Sequence, residues 1–335
     1  MKRVTSVDVA RLAGVSQSTV SRTFSPESNI APATRDKVLA AAETLGYAPN
    51  AIARSLITNR TNIIGLVMAN ITNPFYPYVL ERFIAQLQQS GWQALLFSPA
   101  PDQDVDDVLP LALQYRVDGL IITSATMSSE MADECARQGT PVVLFNRYIF
   151  GANVSAVCCD NVEGGRMIAN LMLDAGHRHL AYIAGNANTS TNIDREKGFM
   201  DRLRERGVSD VVRAQGVYSY ESGYELALQL LRENPSLDAL FCGNDIMAMG
   251  AMDAARSELG ISIPNELTIF GFDDIPSAAW PVYSLTTIRQ PVERMIEKTL
   301  QLLFERIEEP DKAPVLELIP GELVRRTSAR LERVS

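Results

Sequence analysis

Residues 6–24 read SVDVARLAGVSQSTVSRTF, and their spacing decides the first part of the fold. Val7, Val9, Ala10 and Ala13 give a short helix over Ser6–Ala13 an apolar stripe, and Gly14 follows where helices commonly end on a positive φ. Ser16 is placed to accept from the first N–H groups of a second helix, Gln17 to Phe24. AGVS is then a tight helix-to-helix turn with Val15 in its elbow. A third helix begins at Pro32, whose missing N–H costs nothing at a first helical position, and carries Val38, Leu39, Ala42 and Leu45 to Gly46. Three short helices around a small core make an all-α helix-turn-helix head.

Charge separates this head from the rest. Residues 1–60 hold eight Lys/Arg against four acids, a net +4, while the chain of 335 residues carries −9, which leaves −13 on the remainder. A basic head on an acidic body suits a nucleic-acid-binding module joined to something that does not cling to DNA. In such a unit the second helix enters the major groove, so Gln17, Ser18 and Arg22 face base edges, Gln suited to adenine and Arg to guanine. Thr5, Ser16, Thr19, Ser21 and Thr34 supply hydroxyls suited to phosphates, although any small helical bundle also keeps polar residues outside. The following PNAIARSLIT, residues 49–58, has length for about two helical turns, marginal alone and ordered only when something packs on it.

From residue 62 the pattern changes to alternating elements. Apolar runs at Ile63–Val67, Ala94–Phe97, Gly119–Ile122 and Val142–Phe145 are separated by helical stretches. Leu180–Ala184, Ala239–Cys242 and Leu267–Gly271 follow, with helices near 161–175, 192–206, 221–233 and 245–259. Strand–helix repetition predicts an α/β body of two doubly wound parallel-sheet halves. A helix from Pro77 puts Val79, Leu80, Phe83, Ile84 and Leu87 on one face and stops at Gly91. Ligands in such sheets bind beyond the carboxyl ends of the strands. That rule selects Asn73, Phe75, Tyr76, Ser124, Asn146 and Arg147 in the first half, Arg195, Tyr218, Asn244 and Asp273 in the second, and Gln290 in a crossover. Aromatic faces beside fixed donors and acceptors suit a small polyhydroxylated ligand. Arg147 with Arg195 would place two guanidiniums at one site and favour an anion, a sugar acid or sugar phosphate, unless Arg147 pairs with a neighbouring carboxylate.

Composition excludes several classes. Hydrophobic residues make up 46% and charged residues 21%, enough for more than one core. No apolar stretch reaches the ~18 residues of a membrane helix, and MKRVTSVDVARLAGVS has no signal-peptide core, so a cytoplasmic protein without membrane attachment is expected. Cys135, Cys158, Cys159 and Cys242 lack C-x-x-C spacing and read as buried, reduced thiols. His177 and His179 lack a third ligand, and Met247, Met249 and Met252 read as packed core. No phosphate loop, nucleophile elbow or H-E-x-x-H is present, and the cleft holds no histidine. We therefore expect no metal, no cofactor and no enzyme, although Asp273 or Asp274 could act as a base.

TSVDVARLAGVSQSTVSR, TRDKVLAAAETLGYAPNAIARSLIT, NPF at 73, DN-x-x-GG at 160–165, GHRH at 176–179, DREKGF at 194–199, NDIMAMGAM at 244–252 and GFDD with TTIRQP at 271–291 together resemble the lactose-repressor (LacI) family. The resemblance covers almost the whole chain. It implies a head at 1–48, a hinge helix at 49–61 and an effector-binding and dimerisation domain of periplasmic-binding-protein type at 62–335. Within that domain one subdomain spans about 62–162 plus 291–321, the other about 163–289 plus 323–330. The implied protein is a DNA-binding regulator, a repressor in most relatives, acting as a homodimer on a pseudo-palindromic operator. Tyr47, Asn50 and Ala53 would join the DNA contacts and Leu56 would wedge between base pairs, though Leu56 could instead pack the linker on the body. Dimer contacts would use the helix near 78–89 and residues 275–283. Tetrameric relatives carry a further C-terminal heptad helix, and a chain ending at Ser335 is expected to stop at the dimer. Relatives answering to purines have an arginine matching Thr189 and an Asp-Trp pair matching Asn146-Arg147, so a purine is disfavoured here and a sugar favoured. A sugar-binding module without DNA regulation and a nucleobase-responsive regulator remain the alternatives. The resemblance leaves open whether ligand releases or recruits DNA.

Overall fold

The computed structural model describes residues 4–24, 30–48, 60–100, 103–123 and 127–331. The chain divides into two compact units, Met1–Thr61 and Asn62–Ser335. The first holds α1 (Ser6–Ala13), α2 (Gln17–Thr23) and α3 (Pro32–Leu45). Gly14 and Gly46 end α1 and α3 with φ of 67° and 62°, the left-handed turn that glycine adopts without a Cβ penalty. Val9, Ala10, Val20, Val38, Ala41 and Ala42 form the core, with Val15, Phe24, Leu45 and Tyr47 against it.

Two residues expected inside this core lie outside it: Val7 is 46% and Leu39 41% exposed. Val7 stands two positions from Val9, roughly 200° around the helix, and Leu39 is turned roughly 100° from Val38. The second helix also stops one residue early, at Thr23. Phe24 caps it and tilts against Tyr47, with ring centroids 5.9 Å apart.

The second unit contains two six-stranded sheets among the described residues. The first is built from β1 (Ile63–Met68), α4 (Phe75–Gln89), β2 (Gln93–Phe97), α5 (Val105–Gln114), β3 (Gly119–Thr123), α6 (Ser129–Arg137), β4 (Val142–Phe145) and β5 (Ser155–Cys159). The chain then crosses into α7 (Asn161–Asp174), β6 (Leu180–Ala184), α8 (Ser190–Glu205), β7 (Val211–Gln215), α9 (Tyr220–Glu233), β8 (Ala239–Cys242), α10 (Asp245–Leu259), β9 (Thr268–Asp273) and β10 (Thr286–Arg289). It returns through α11 (Val292–Glu308) and β11 (Leu316–Ile319) to the first half and ends with β12 (Glu322–Val324) in the second. Strand order is β11-β5-β4-β3-β1-β2 in one sheet and β12-β10-β9-β8-β6-β7 in the other, all parallel except β12. The predicted doubly wound architecture is therefore the observed one. The adjacent Cys158 and Cys159, which read as part of a strand, end β5, whereas the short runs of β7, β10, β11 and β12 are not predicted from the sequence.

Local chemistry explains the places that aim the site. α4 starts at Phe75, two residues before the expected Pro77, because Asn73 Oδ1 accepts from the Phe75 N–H at 3.1 Å and proline is tolerated in a first turn. In DN-x-x-GG, Asp160 caps α7 by accepting from the Glu163 N–H at 3.0 Å. A Cβ at Gly164 would strike the Phe272 ring, one at Gly165 the Arg195 carbonyl, and one at Gly198 the Val162 carbonyl. Gly165 and Gly198 let α7 and α8 cross closely, which fixes the helix that carries Arg195, while Gly164 lets α7 lie against β9.

Candidate functional site

The carboxyl ends of both sheets face one cleft. Asn73, Phe75 and Tyr76 after β1 and Asn146 after β4 form one wall, while Thr191, Arg195, Tyr218, Asn244 and Asp273 form the other, and the walls close to leave about 10 Å³ between them. Eight of the eleven expected residues line it. Gln290 sits behind Asp273, donating from Nε2 to Oδ1 at 2.7 Å, and Arg147 is buried close enough to Tyr76 to oppose the upward push of burial on its phenol. Ser124 lies outside the described residues. Thr191 was missed, although it stands in the hydroxyl-rich TSTN run that follows β6, where the strand-end rule applies.

Arg195 is the most constrained side chain. Nε donates to Asn161 Oδ1 at 2.8 Å, Nη1 to the Gly243 carbonyl at 2.6 Å and Nη2 to Asp273 Oδ1 at 3.0 Å, while the guanidinium lies 3.7 Å over the Phe272 ring. Burial, the largest single influence, opposes its charge, but Asp273 together with Tyr218, Cys159 and Tyr182 holds its pKa above the ordinary value. Asp273 is itself pushed up by burial and pulled back by Arg195 and Gln290. The ion pair is thus closed upon itself. It does not add a free positive charge, which corrects the expectation of two guanidiniums available to one anion.

Backbone strain accompanies these contacts. Asp273 has φ 125°, Asp274 58° and Asn146 67°, all outside the common regions for residues with a Cβ, and such strain typically costs about 1–3 kcal/mol each. Asn146 is a residue type that accepts this conformation. Asn244 caps α10, its Oδ1 accepting from the Met247 N–H at 3.2 Å. Five buried side-chain polar atoms have no partner among the described residues, and three of them, Asn146 Oδ1, Arg147 Nε and Gln290 Oε1, belong to the expected site residues, while Arg306 Nε and Arg330 Nε do not. Arg147 makes no ion pair among those residues, so the alternative of a neighbouring carboxylate does not apply. A second feature crosses the cleft: the Tyr148 N–H donates to Ser190 Oγ at 3.1 Å, and its hydroxyl donates to Asp194 Oδ2 at 2.9 Å.

In the head, α2 presents Gln17, Ser18, Ser21 and Arg22 outward. Gln17 Nε2 donates to Ser6 Oγ at 3.1 Å, while Arg22 donates from Nε to the Ser18 carbonyl at 3.4 Å and keeps its terminal nitrogens free of protein partners among the described residues. Ser16 caps α2, its Oγ accepting from the Thr19 N–H at 3.1 Å and sharing hydrogen bonds with the Ser18 and Thr19 hydroxyls. Thr5 is committed to Asp8, to which its N–H and hydroxyl donate at 3.0 and 2.7 Å. Thr34 lies in the first turn of α3, and Tyr47 follows it, half-buried. Asn50, Ala53 and Leu56 lie outside the described residues.

Residues 6–50 match the family model for bacterial regulatory proteins of the lacI family, and residues 169–329 match that for a periplasmic binding protein-like domain. The HTH-type transcriptional regulator GalS of Salmonella typhimurium is 32% identical over 305 residues, 90% of this chain and 89% of that protein. This chain belongs to the lacI family. The HTH-type transcriptional repressor PurR of Erwinia tasmaniensis is also 32% identical, over 96% of both chains. Among solved structures, the lac repressor dimer bound to operator and the anti-inducer ONPF superposes with a TM-score of 0.88 at 25% identity, covering 98% of this chain and 99% of that one. The transcriptional regulator CelR–cellobiose complex gives 0.73 at 29% identity, over 97% of this lacI-family chain and all of CelR.

Proposed function

We propose that this protein is a homodimeric, non-enzymatic transcriptional repressor of the cytoplasm that binds a pseudo-palindromic operator in double-stranded DNA and is controlled by a small-molecule effector, a sugar, sugar acid or sugar phosphate. The outward row of Gln17, Ser18 and Arg22 on α2 supports base reading, with Ser16, Thr19, Ser21, Thr34 and Tyr47 on phosphates, Thr5 joining them only by releasing Asp8, and Asn50, Ala53 and Leu56 in a hinge at 49–61. Trp280 and Val282, more than half exposed in one subunit, support dimer contacts near 275–283.

The observation that carries the effector reading is the set of unfilled atoms. Two buried acceptors, Asn146 Oδ1 and Gln290 Oε1, and one buried donor, Arg147 Nε, ask for a ligand whose groups both donate and accept, which describes sugar hydroxyls. The free volume between these walls is only about 10 Å³, room for one water, so a ligand enters only when the two halves move apart. Arg147 has no compensating acid among the described residues, so a carboxylate or phosphoryl group on that sugar would complete the charge balance. A purine fits less well: Thr189 occupies the position of the purine-reading arginine and is engaged as the cap of α8.

Two measurements test the reading. Arg22→Ala is expected to weaken specific operator binding by ~1–3 kcal/mol and relax specificity at one base pair, measured by titration of operator variants. Unchanged binding at every base removes the recognition-helix assignment. A thermal-unfolding screen with D-galactose, D-gluconate, D-glucose 6-phosphate and hypoxanthine is expected to show stabilisation by a sugar. Ligand at about 100 times its Kd should add ~2.7 kcal/mol. A hypoxanthine response alone would replace the sugar reading by the nucleobase one.

A further inference from the structure

Gly185 follows β6 at the back of the cleft, and its φ lies outside the left-handed region, so backbone conformation does not require glycine there. Space does. A Cβ on Gly185 would overlap Cε1 and Cζ of the Tyr218 ring and come within 2.7 Å of its hydroxyl. The backbone at 185 cannot step aside, because both of its polar groups are held. The N–H donates to Asn192 Oδ1 at 2.7 Å, the carbonyl accepts from Gln215 Nε2, and a Cβ on Gly243 would lie only 3.1 Å from the Gly185 nitrogen. The ring rests against this bare backbone, buried and anchored at both ends. The Tyr218 N–H donates to Asn186 Oδ1 at 3.1 Å, and its hydroxyl lies 3.4 Å from Thr191 Oγ1, another cleft residue.

We infer that Gly185 is a positioning residue for effector selection: by leaving room behind the Tyr218 ring it sets how far that wall stands back and therefore the width open to a ligand. The inference rests on the reading of the cleft as the effector site, and it assigns the width to a residue with no side chain and no contact with ligand. Any larger residue at 185 drives the ring toward the other cleft residues, among them Tyr76 and Asn146, and narrows the opening that a ligand would need when the halves part. Tyr218 supplies the surface, and Gly185 supplies its place.

The test is a double-mutant cycle that needs no ligand, joined to a ligand measurement. Gly185→Ala is expected to lower Tm by about 2–6 °C in the full-length protein, the cost of overpacking a held site. In the Tyr218→Ala background the same substitution is expected to be nearly silent, because the ring that the new methyl would strike is gone. Equal loss of stability in both backgrounds, or failure of the double variant to fold, overturns the inference. So does a silent Gly185→Ala in the presence of Tyr218. For any of the four compounds above that stabilises the unmodified protein, Gly185→Ala is expected to weaken binding about tenfold or more, as the stacking wall is displaced. Unchanged ligand affinity together with a coupled stability cycle shows the packing without the selectivity and overturns the assignment. If none of the four compounds binds while the cycle couples, the effector reading fails and the placement of Tyr218 by Gly185 stands.

Discussion

Asp245 is fully buried at the first position of α10, where it accepts from the Ile275 N–H at 2.9 Å and from the Thr287 hydroxyl at 2.5 Å. Burial, reinforced by the nearby Asp273, raises its pKa from 3.8 to about 7. A carboxyl whose folded pKa is raised binds its proton more tightly in the folded state, so its contribution to stability is full below about 4 and is lost as pH rises through about 7. Stability is therefore expected to fall between pH 5 and pH 8, and Asp245→Asn should flatten that slope in urea titrations at the two pH values. The variant should keep most of its stability at pH 5, because its amide can accept from the Ile275 N–H and donate to the Thr287 hydroxyl, the pattern of the protonated acid. A slope unchanged in the variant assigns the pH dependence elsewhere. At this scale the sequence was informative where a residue type has a fixed task at a strand end: Asn73, Tyr76, Arg195 and Asp273 all reach one cleft. It was silent on Asp245 as a buried acid and on Thr191, because burial and the choice of partner depend on which halves meet.

Elements were legible where their periodicity was strong. α1, α3 and the helices of the second half carry their apolar faces and glycine stops in plain view, whereas β7 has only half-buried alternation and β11 and β12 are short edge strands. The crossing of α7 with α8 was hidden for another reason: Gly165 and Gly198 carry no side-chain signal, and their meaning is the neighbour each one admits. Gly198→Ala tests that meaning. Its methyl would meet the Val162 carbonyl, a backbone atom that cannot rotate away, so α8 must shift and take Arg195 with it. The expected cost is about 3 kcal/mol or more, at the upper end for overpacking, read as a lowered denaturation midpoint with an unchanged m-value. A loss under roughly 0.5 kcal/mol would mean that the helices separate freely and that the glycines do not fix Arg195.

For the whole molecule, the proposed switch needs an element that differs between open and closed clefts. The two halves of the body are joined by three crossovers, between β5 and α7, β10 and α11, and β11 and β12, and such connections permit one half to turn against the other. Tyr148 opposes that turn. It follows the Asn146-Arg147 pair in one half and holds Ser190 and Asp194 of the other, one residue before Arg195. Burial raises the Asp194 carboxyl, and the Tyr148 hydroxyl partly offsets that rise, so the ionised form depends on the clasp. Tyr148→Phe keeps the ring and removes only the hydroxyl, leaving Asp194 short of a donor when the cleft is shut. The penalty, ~1–3 kcal/mol, falls on the closed state alone. Because ligand binding includes closure, effector affinity is expected to drop by about 5- to 150-fold. By the same linkage, the ratio of operator affinities with and without effector changes by that factor only if closure is what reaches the head. Calorimetric titration with the stabilising sugar, followed by operator titrations at saturating ligand, separates the cases. Weaker ligand binding with an altered operator ratio identifies cleft closure as the switch. Weaker binding with an unchanged ratio places the switch outside the clasp.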